Sequence, residues 1–141
     1  MAERIIDATD SILGRVATRA AKYALNGDTV HVVNCDKSRI TGRRKVILDD
    51  QLHMRTRGNI NQGPYVYKNS DQYMRRVIRG MLPYRFERGR RAWARVRCYT
   101  SIPEAFKGKP LETIQDASIT KVLSTTSLTL AEVSKAVGGS R

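Results

Sequence analysis

The chain has 141 residues and a formal net charge of +13, from 26 Lys+Arg against 13 Asp+Glu. It is the size of one domain, able to bury about two-thirds of its unfolded surface without disulfides or metals. No apolar run approaches the ~20 residues that a bilayer demands, and residues 1–15, broken by Glu3, Arg4 and Asp7, lack the basic-then-apolar order of a secretory signal; the expectation is a soluble, cytoplasmic domain with no membrane partner.

The segment "RIIDA" (4–8) predicts a first strand, and "DSILGRVATRAAKYALNGD" (10–28) a helix with Asp10 or Ser11 as N-cap. Ile12, Val16, Ala20 and Tyr23 or Ala24 recur at helical spacing, and Gly27 sits where a left-handed cap would stop the helix. "TVHVVN" (29–34) predicts a second strand, nearly all apolar and so suited to a sheet covered on both faces. "TGRRKVILDDQLHM" (41–54) predicts a second helix with Thr41 as a possible cap. This βαβα order argues for a mostly parallel sheet of about four strands with helices on both sides. His31 is a lone histidine inside a strand, His53 has no acidic or cysteine cluster around it, and Cys35 and Cys98 lack C-x-x-C spacing. No metal or cofactor is expected, and the cysteines are expected to be reduced, buried thiols.

Residues 55–71, "RTRGNINQGPYVYKNSD", form a long irregular excursion of the kind that carries function in compact domains. From Ser70 as N-cap, Met74, Val77, Ile78 and Met81 fall at i, i+3, i+4 and i+7, one apolar face of a third helix. Arg75 is placed to pair with Asp71 at i, i+4, whereas Arg76 and Arg79 have no carboxylate within a turn. Pro83 ends that helix. "FERGRRAWARVRCY" (86–99) then predicts a short helix running into a strand, with Ala92, Trp93 and Val96 turned inward and Arg88, Arg91 and Arg95 on its outer side.

Charge is concentrated here. Residues 55–97 carry twelve basic and two acidic side chains, against nine and seven before them and five and four after. A single-sign block inside a foldable domain is an electrostatic footprint for a polyanion. Eleven of the twelve are arginines, whose planar fork clasps phosphate oxygens bidentately and stacks on bases. The expected RNA contacts are Arg55, Arg57, Tyr65 and Lys68 from the loop, then Arg75, Arg76, Arg79, Arg85, Arg88, Arg90, Arg91, Arg95 and Arg97. Arg43 and Arg44 of "SRITGRR" join them, because Gly42 before a helix start can expose amides to a phosphate. Tyr65 and Tyr67 stack on bases or else anchor the loop to the body. Catalysis is not expected: the chain has no G-x-G-x-x-G, no G-x-x-x-x-G-K-[ST] and no G-x-S-x-G.

"ILGRVAT" (12–18), "VVNCDKSRITGRR" (32–44) and, above all, "IRGMLP" followed by "RGRRA" (78–83, 88–92) resemble the large-subunit ribosomal protein L13 family in its archaeal and eukaryotic form, over about residues 4–103. The tail "LTLAEVSKAVG" (128–138) is similar to the archaeal terminal helix and shows a capping box from Thr129 to Glu132 with Gly138 closing the end. The bacterial form differs after "MLP". The resemblance implies a three-layer α/β/α domain that binds large-subunit ribosomal RNA, sits among other large-subunit proteins in the ribosome, and supports subunit assembly and translation; no homo-oligomer is expected. The alternative is a free-standing RNA-binding translational regulator. Residues 1–103 are expected to form the RNA-binding domain, and 104–141 a C-terminal extension packed on it and ending in a short helix. The stretch 103–127, with nearly balanced charge, is expected to pack on the domain or on a protein neighbour rather than run through RNA.

Overall fold

In a computed structural model, residues 1–122 and 126–139 are described. Residues 123–125 of the expected extended stretch lie outside the described residues, as do 140–141. Strand β1 (Glu3–Asp7) leads into helix α1 (Leu13–Asn26) and returns as β2 (Thr29–Val33), which lies parallel to β1 with Ile6 opposite Val32. The chain then runs through β3 (Arg39–Thr41), α2 (Arg44–Thr56), α3 (Ser70–Gly80) and α4 (Glu87–Ala94) before β4 (Val96–Cys98) adds, again in parallel, to the other side of β2. A two-residue strand, β5 (Glu112–Thr113), completes the sheet beside β1, giving the order β4-β2-β1-β5 with every pairing parallel.

The alternation of β1 and β2 divides the core. Ile6, Val30 and Val32, with Val96, point toward α1, α3 and α4, where Val16, Ala20, Ala24, Met74 and Ile78 meet them with no exposed surface. Ile5 and Val33 point the other way and are covered by Phe106 and the partly buried Tyr99, Ile102 and Leu111. The result is the expected three-layer α/β arrangement with unequal layers: helices on one face, and on the other the segment 99–111 with a single 3-10 turn at Glu104–Phe106. Helix α2, expected to flank the sheet, does not cover it. Ile47 of α2 joins Leu128, Val133 and Val137 in a separate cluster with helix α5 (Leu130–Ala136), under an antiparallel pair of β3 with β6 (Ser127–Thr129).

Local signals explain the C-terminal end of α1 and both ends of α5. Gly27 takes φ +107° and its amide bonds the Ala24 carbonyl, closing α1. The Thr129–Glu132 capping box is present at α5, and Gly138 follows it at φ +85°. The side-chain caps expected elsewhere are absent. Helix α1 starts after Ile12, because Asp10 turns the chain at φ +48° and spends its carboxylate on the Arg39 guanidinium at 2.8 Å, while the Ser11 hydroxyl donates to the Thr9 carbonyl. Thr41 is consumed by β3, leaving Arg43 as the N-cap of α2, and Asn69 rather than Ser70 precedes α3.

Ile114 and Ala117 enter the main core, and Glu112 accepts hydrogen bonds from the Tyr23 hydroxyl (2.8 Å) and from Arg4 (3.3 Å), which also holds Asp28 at 2.8 Å. These contacts fix a strand too short to hold itself. At the C-terminal ends of β1 and β2, Asn34 adopts a left-handed conformation (φ 57°) and its amide donates to the Asp7 carboxylate at 2.9 Å. Burial alone would raise the Asp7 pKa, but the hydrogen bonds from Thr9 and Asn34 outweigh it and hold the carboxyl below its ordinary value.

Candidate nucleic-acid interface

The arginine segment is built on α3 and α4, joined by the turn 81–86. The apolar face of α3 buries Met74 and Ile78 fully, with Val77 partly covered. Met81, expected to close that stripe, is instead 41% exposed, because the helix stops at Gly80 and the turn carries Leu82 inward in its place. Trp93, expected to be mostly buried, is only partly so: it packs against the core while Tyr84 meets its ring edge-on at a centroid distance of 6.3 Å.

The two halves of the "RGMLP…RGRR" block touch through backbone. A Cβ at Gly89 would stand 2.1 Å from the Pro83 carbonyl oxygen. Only glycine lets α4 lie against the turn, which is why the block carries a glycine inside a helix where it costs ~1 kcal/mol relative to alanine.

The nominated arginines separate by what they touch. The guanidinium of Arg75 lies 4.4 Å over the Trp93 ring, and Arg79 lies 5.4 Å over Tyr84. The expected Asp71–Arg75 pair does not form: Asp71 Oδ1 and Arg75 Nε are both buried without a hydrogen-bond partner among the described residues. Arg95 donates to the Ala24 carbonyl at 3.0 Å, placing positive charge at the C-terminal end of α1, where the helix dipole favours it. Arg55 binds the Val137 carbonyl at the end of α5 in the same manner, and Arg97 donates to the Ala94 and Val96 carbonyls at 3.1 and 3.2 Å. Arg57 sits 2.9 Å from His53 Nε2, Arg91 pairs with Glu87 one turn away, and Arg44 stands 3.9 Å from Glu132. Arg76 lies over Tyr67 at 5.9 Å, with a nitrogen 3.5 Å from the Tyr65 carbonyl.

Arg43, Lys68, Arg85, Arg88 and Arg90 are exposed, and none forms an ion pair with a carboxylate among the described residues. The 55–69 loop is stiffened by reciprocal backbone bonds between Asn59 and Gly63, and Tyr65 points to solvent, 69% exposed, with its hydroxyl donating to the Asn61 carbonyl. Sequence reasoning missed the aromatic surface of the turn. Phe86 is 71% exposed and Tyr84 42%, and they share a surface hollow with Arg79 and Arg85. Pro83 interrupts the periodicity that would have assigned these rings a face, so the sequence offered only their proximity to arginine.

Away from this face, His31 packs between Tyr99 and Phe106, and burial lowers its pKa against the opposing pull of Glu3 at 3.5 Å. Cys35 is buried and Cys98 partly so, both free; the hydrogen bond to the Cys35 thiol, and then burial, push the Cys98 pKa well up. Among the described residues no group of three His, Cys, Asp or Glu side chains is placed to hold a metal, and no helix is long and apolar enough to cross a membrane.

A family model described as ribosomal protein L13 matches residues 2–105. Proteins named large ribosomal subunit protein uL13 align across nearly the whole chain. That of Methanosarcina barkeri is 40% identical over 95% of this chain and 96% of its own length. That of Archaeoglobus fulgidus is 39% identical over 95% and 86%, and that of Haloarcula marismortui 38% over 99% and 94%. The matched family is a structural one and not a family of enzymes. The "RGMLP" and "RGRR" motifs, locked together through Gly89 and Pro83, thus stand within a chain that belongs to the ribosomal protein L13 family.

Proposed function

We propose that this protein is a structural component of the large ribosomal subunit in the cytoplasm, where it binds large-subunit ribosomal RNA and neighbouring ribosomal proteins. Residues 1–103 supply the RNA-binding surface, and 104–141 form an extension clamped on it. The observation that carries this reading is the exposed set Arg85, Arg88 and Arg90 on α4 and the turn before it, with no ion-pair partner among the described residues; Arg43 and Lys68, elsewhere on the chain, are exposed and free of such partners as well. Such a cluster is unfavourable until a polyanion neutralises it. Contact is chiefly to phosphates and to RNA shape, because a guanidinium clasps phosphate oxygens whatever the base attached to them. Arg75, Arg79 and Arg95 brace the face from behind, through rings and a helix end.

The test is salt dependence. Replacing Arg88 and Arg90 together by Gln lowers the magnitude of the slope of log affinity against log salt by about 1.4–1.8 for large-subunit ribosomal RNA. The melting temperature stays at the parent's value. An unchanged slope would remove α4 from the RNA contact. Retention of the protein on large subunits through a high-salt wash, read by sedimentation, checks its place in the particle.

A further inference from the structure

Between α2 and α3 lies a cavity of about 250 Å³ whose walls are Met54, Val66, Val77 and the ring of Tyr67. Its polar lining is unusual for a surface hollow. Gln51 is only 8% exposed, and its Nε2 donates to the Tyr73 hydroxyl at 3.1 Å. Tyr73 is partly buried, burial raises its pKa, and its hydroxyl proton is free to donate. Among the described residues no other group bonds the Gln51 amide, which leaves its carbonyl oxygen as an acceptor beside that donor. Arg76 stands at the mouth, over Tyr67. The hollow therefore offers an apolar slot with an aromatic wall, a donor next to an acceptor inside, and a cation at the rim.

We propose that this α2–α3 cavity receives one unpaired nucleobase extruded from the RNA, its face against Tyr67 and Val77, its edge on Gln51 and Tyr73, and its own phosphate at Arg76. The inference rests on the RNA-binding reading above and deepens it. Planarity suits the slot, and an adjacent donor and acceptor match the edge of a base. The surrounding segment, with twelve basic residues against two acidic ones, makes nucleic acid the occupant favoured by charge. A neighbouring protein would need both a planar side chain for the walls and a carboxylate for the rim, which one nucleotide supplies by itself.

Gly80 provides the test. It lines the cavity, and a Cβ built there meets nothing within 4 Å, so a larger side chain at the cavity wall enters open space without a clash at Cβ. The purified full chain and its Gly80→Leu variant are each titrated with deproteinised large-subunit ribosomal RNA and, separately, with adenosine, guanosine, cytidine and uridine monophosphates and with ribose 5-phosphate, followed by NMR. The parent shows base-dependent shifts at the Gln51 side-chain amide and Val77 methyls at millimolar nucleotide, with ribose 5-phosphate inert there. Gly80→Leu abolishes those shifts and weakens RNA binding about tenfold, the stacking contribution of one base, and the salt slope falls by at most the roughly 0.7–0.9 of the single phosphate held at Arg76. Equal RNA affinity of parent and variant, or equal shifts from ribose 5-phosphate, overturns the base pocket. A parent that binds no ribosomal RNA at all sinks the broader RNA reading instead, so the two failures are told apart.

Discussion

Helices α3 and α4 present the same residue to opposite ends. On α3, Arg75 and Arg79 are partly buried and lie over Trp93 and Tyr84. On α4 and the turn before it, Arg85, Arg88 and Arg90 stand in solvent, and α4 is seated by a backbone contact through Gly89 that no arginine mediates. One arginine-rich segment thus contains a packed layer and a free layer. Charge count alone does not tell them apart; what each guanidinium touches does, a ring for Arg75 and Arg79 and the end of α1 for Arg95, each keeping its charge.

The sharpest way to break this contrast is Gly89→Ala. The added Cβ collides with the Pro83 carbonyl, and backbone yields less readily than a side chain, so stability falls by about 2–4 kcal/mol in chemical denaturation despite alanine's better helix propensity. A variant as stable as the parent would mean that α4 is not held by that contact. Trp93→Ala comes next, at about 2–3 kcal/mol, below the roughly 3–5 kcal/mol of a fully buried aromatic because the ring is partly exposed. Arg75→Gln removes one stacked guanidinium and costs about 0.5–1 kcal/mol while leaving the RNA salt slope intact. A shallower slope would move Arg75 into the free layer.

The smallest effect lies on the opposite face of the sheet and serves as a control. Burial lowers the His31 pKa below its ordinary 6.5, so the folded state resists protonation. The stability that His31 contributes is complete above about pH 6.5 and declines as pH falls below it, toward the lower folded value. A His31→Gln variant flattens that limb of the stability curve, and leaves RNA binding at neutral pH untouched.

Much of this was legible in the sequence because it is local. The stripe of α1, its glycine stop, the inward positions Met74 and Ile78 and the capping box of α5 are each written within a turn or two of chain. What escaped depends on distant partners. Two residues, Glu112 and Thr113, form a sheet strand only because β1 offers an open edge and Arg4 and Tyr23 reach Glu112. Helix α2 has too few apolar positions to pay court to the sheet, and its partner, α5, lies more than seventy residues later. The candidate interface was legible as a charge block. Its division into braced and free arginines was not, because that follows from where Trp93, Tyr84 and the end of α1 happen to stand.

The strand order β4-β2-β1-β5 also sets a timetable. Ile6 pairs with Glu112, and Leu130 belongs to the main core, so neither the sheet nor the core is complete until the last quarter of the chain has been made. The arginine segment leaves the synthesising machinery earlier, attached to a body that has not closed. Long-range parallel pairings form slowly, since loop closure must precede the contacts that reward it. During that interval the nascent chain is an adhesive polycation with exposed apolar surface, prone to capture by any polyanion nearby. The charge block therefore precedes, in the order of synthesis, the strand and the helix that complete the body carrying it.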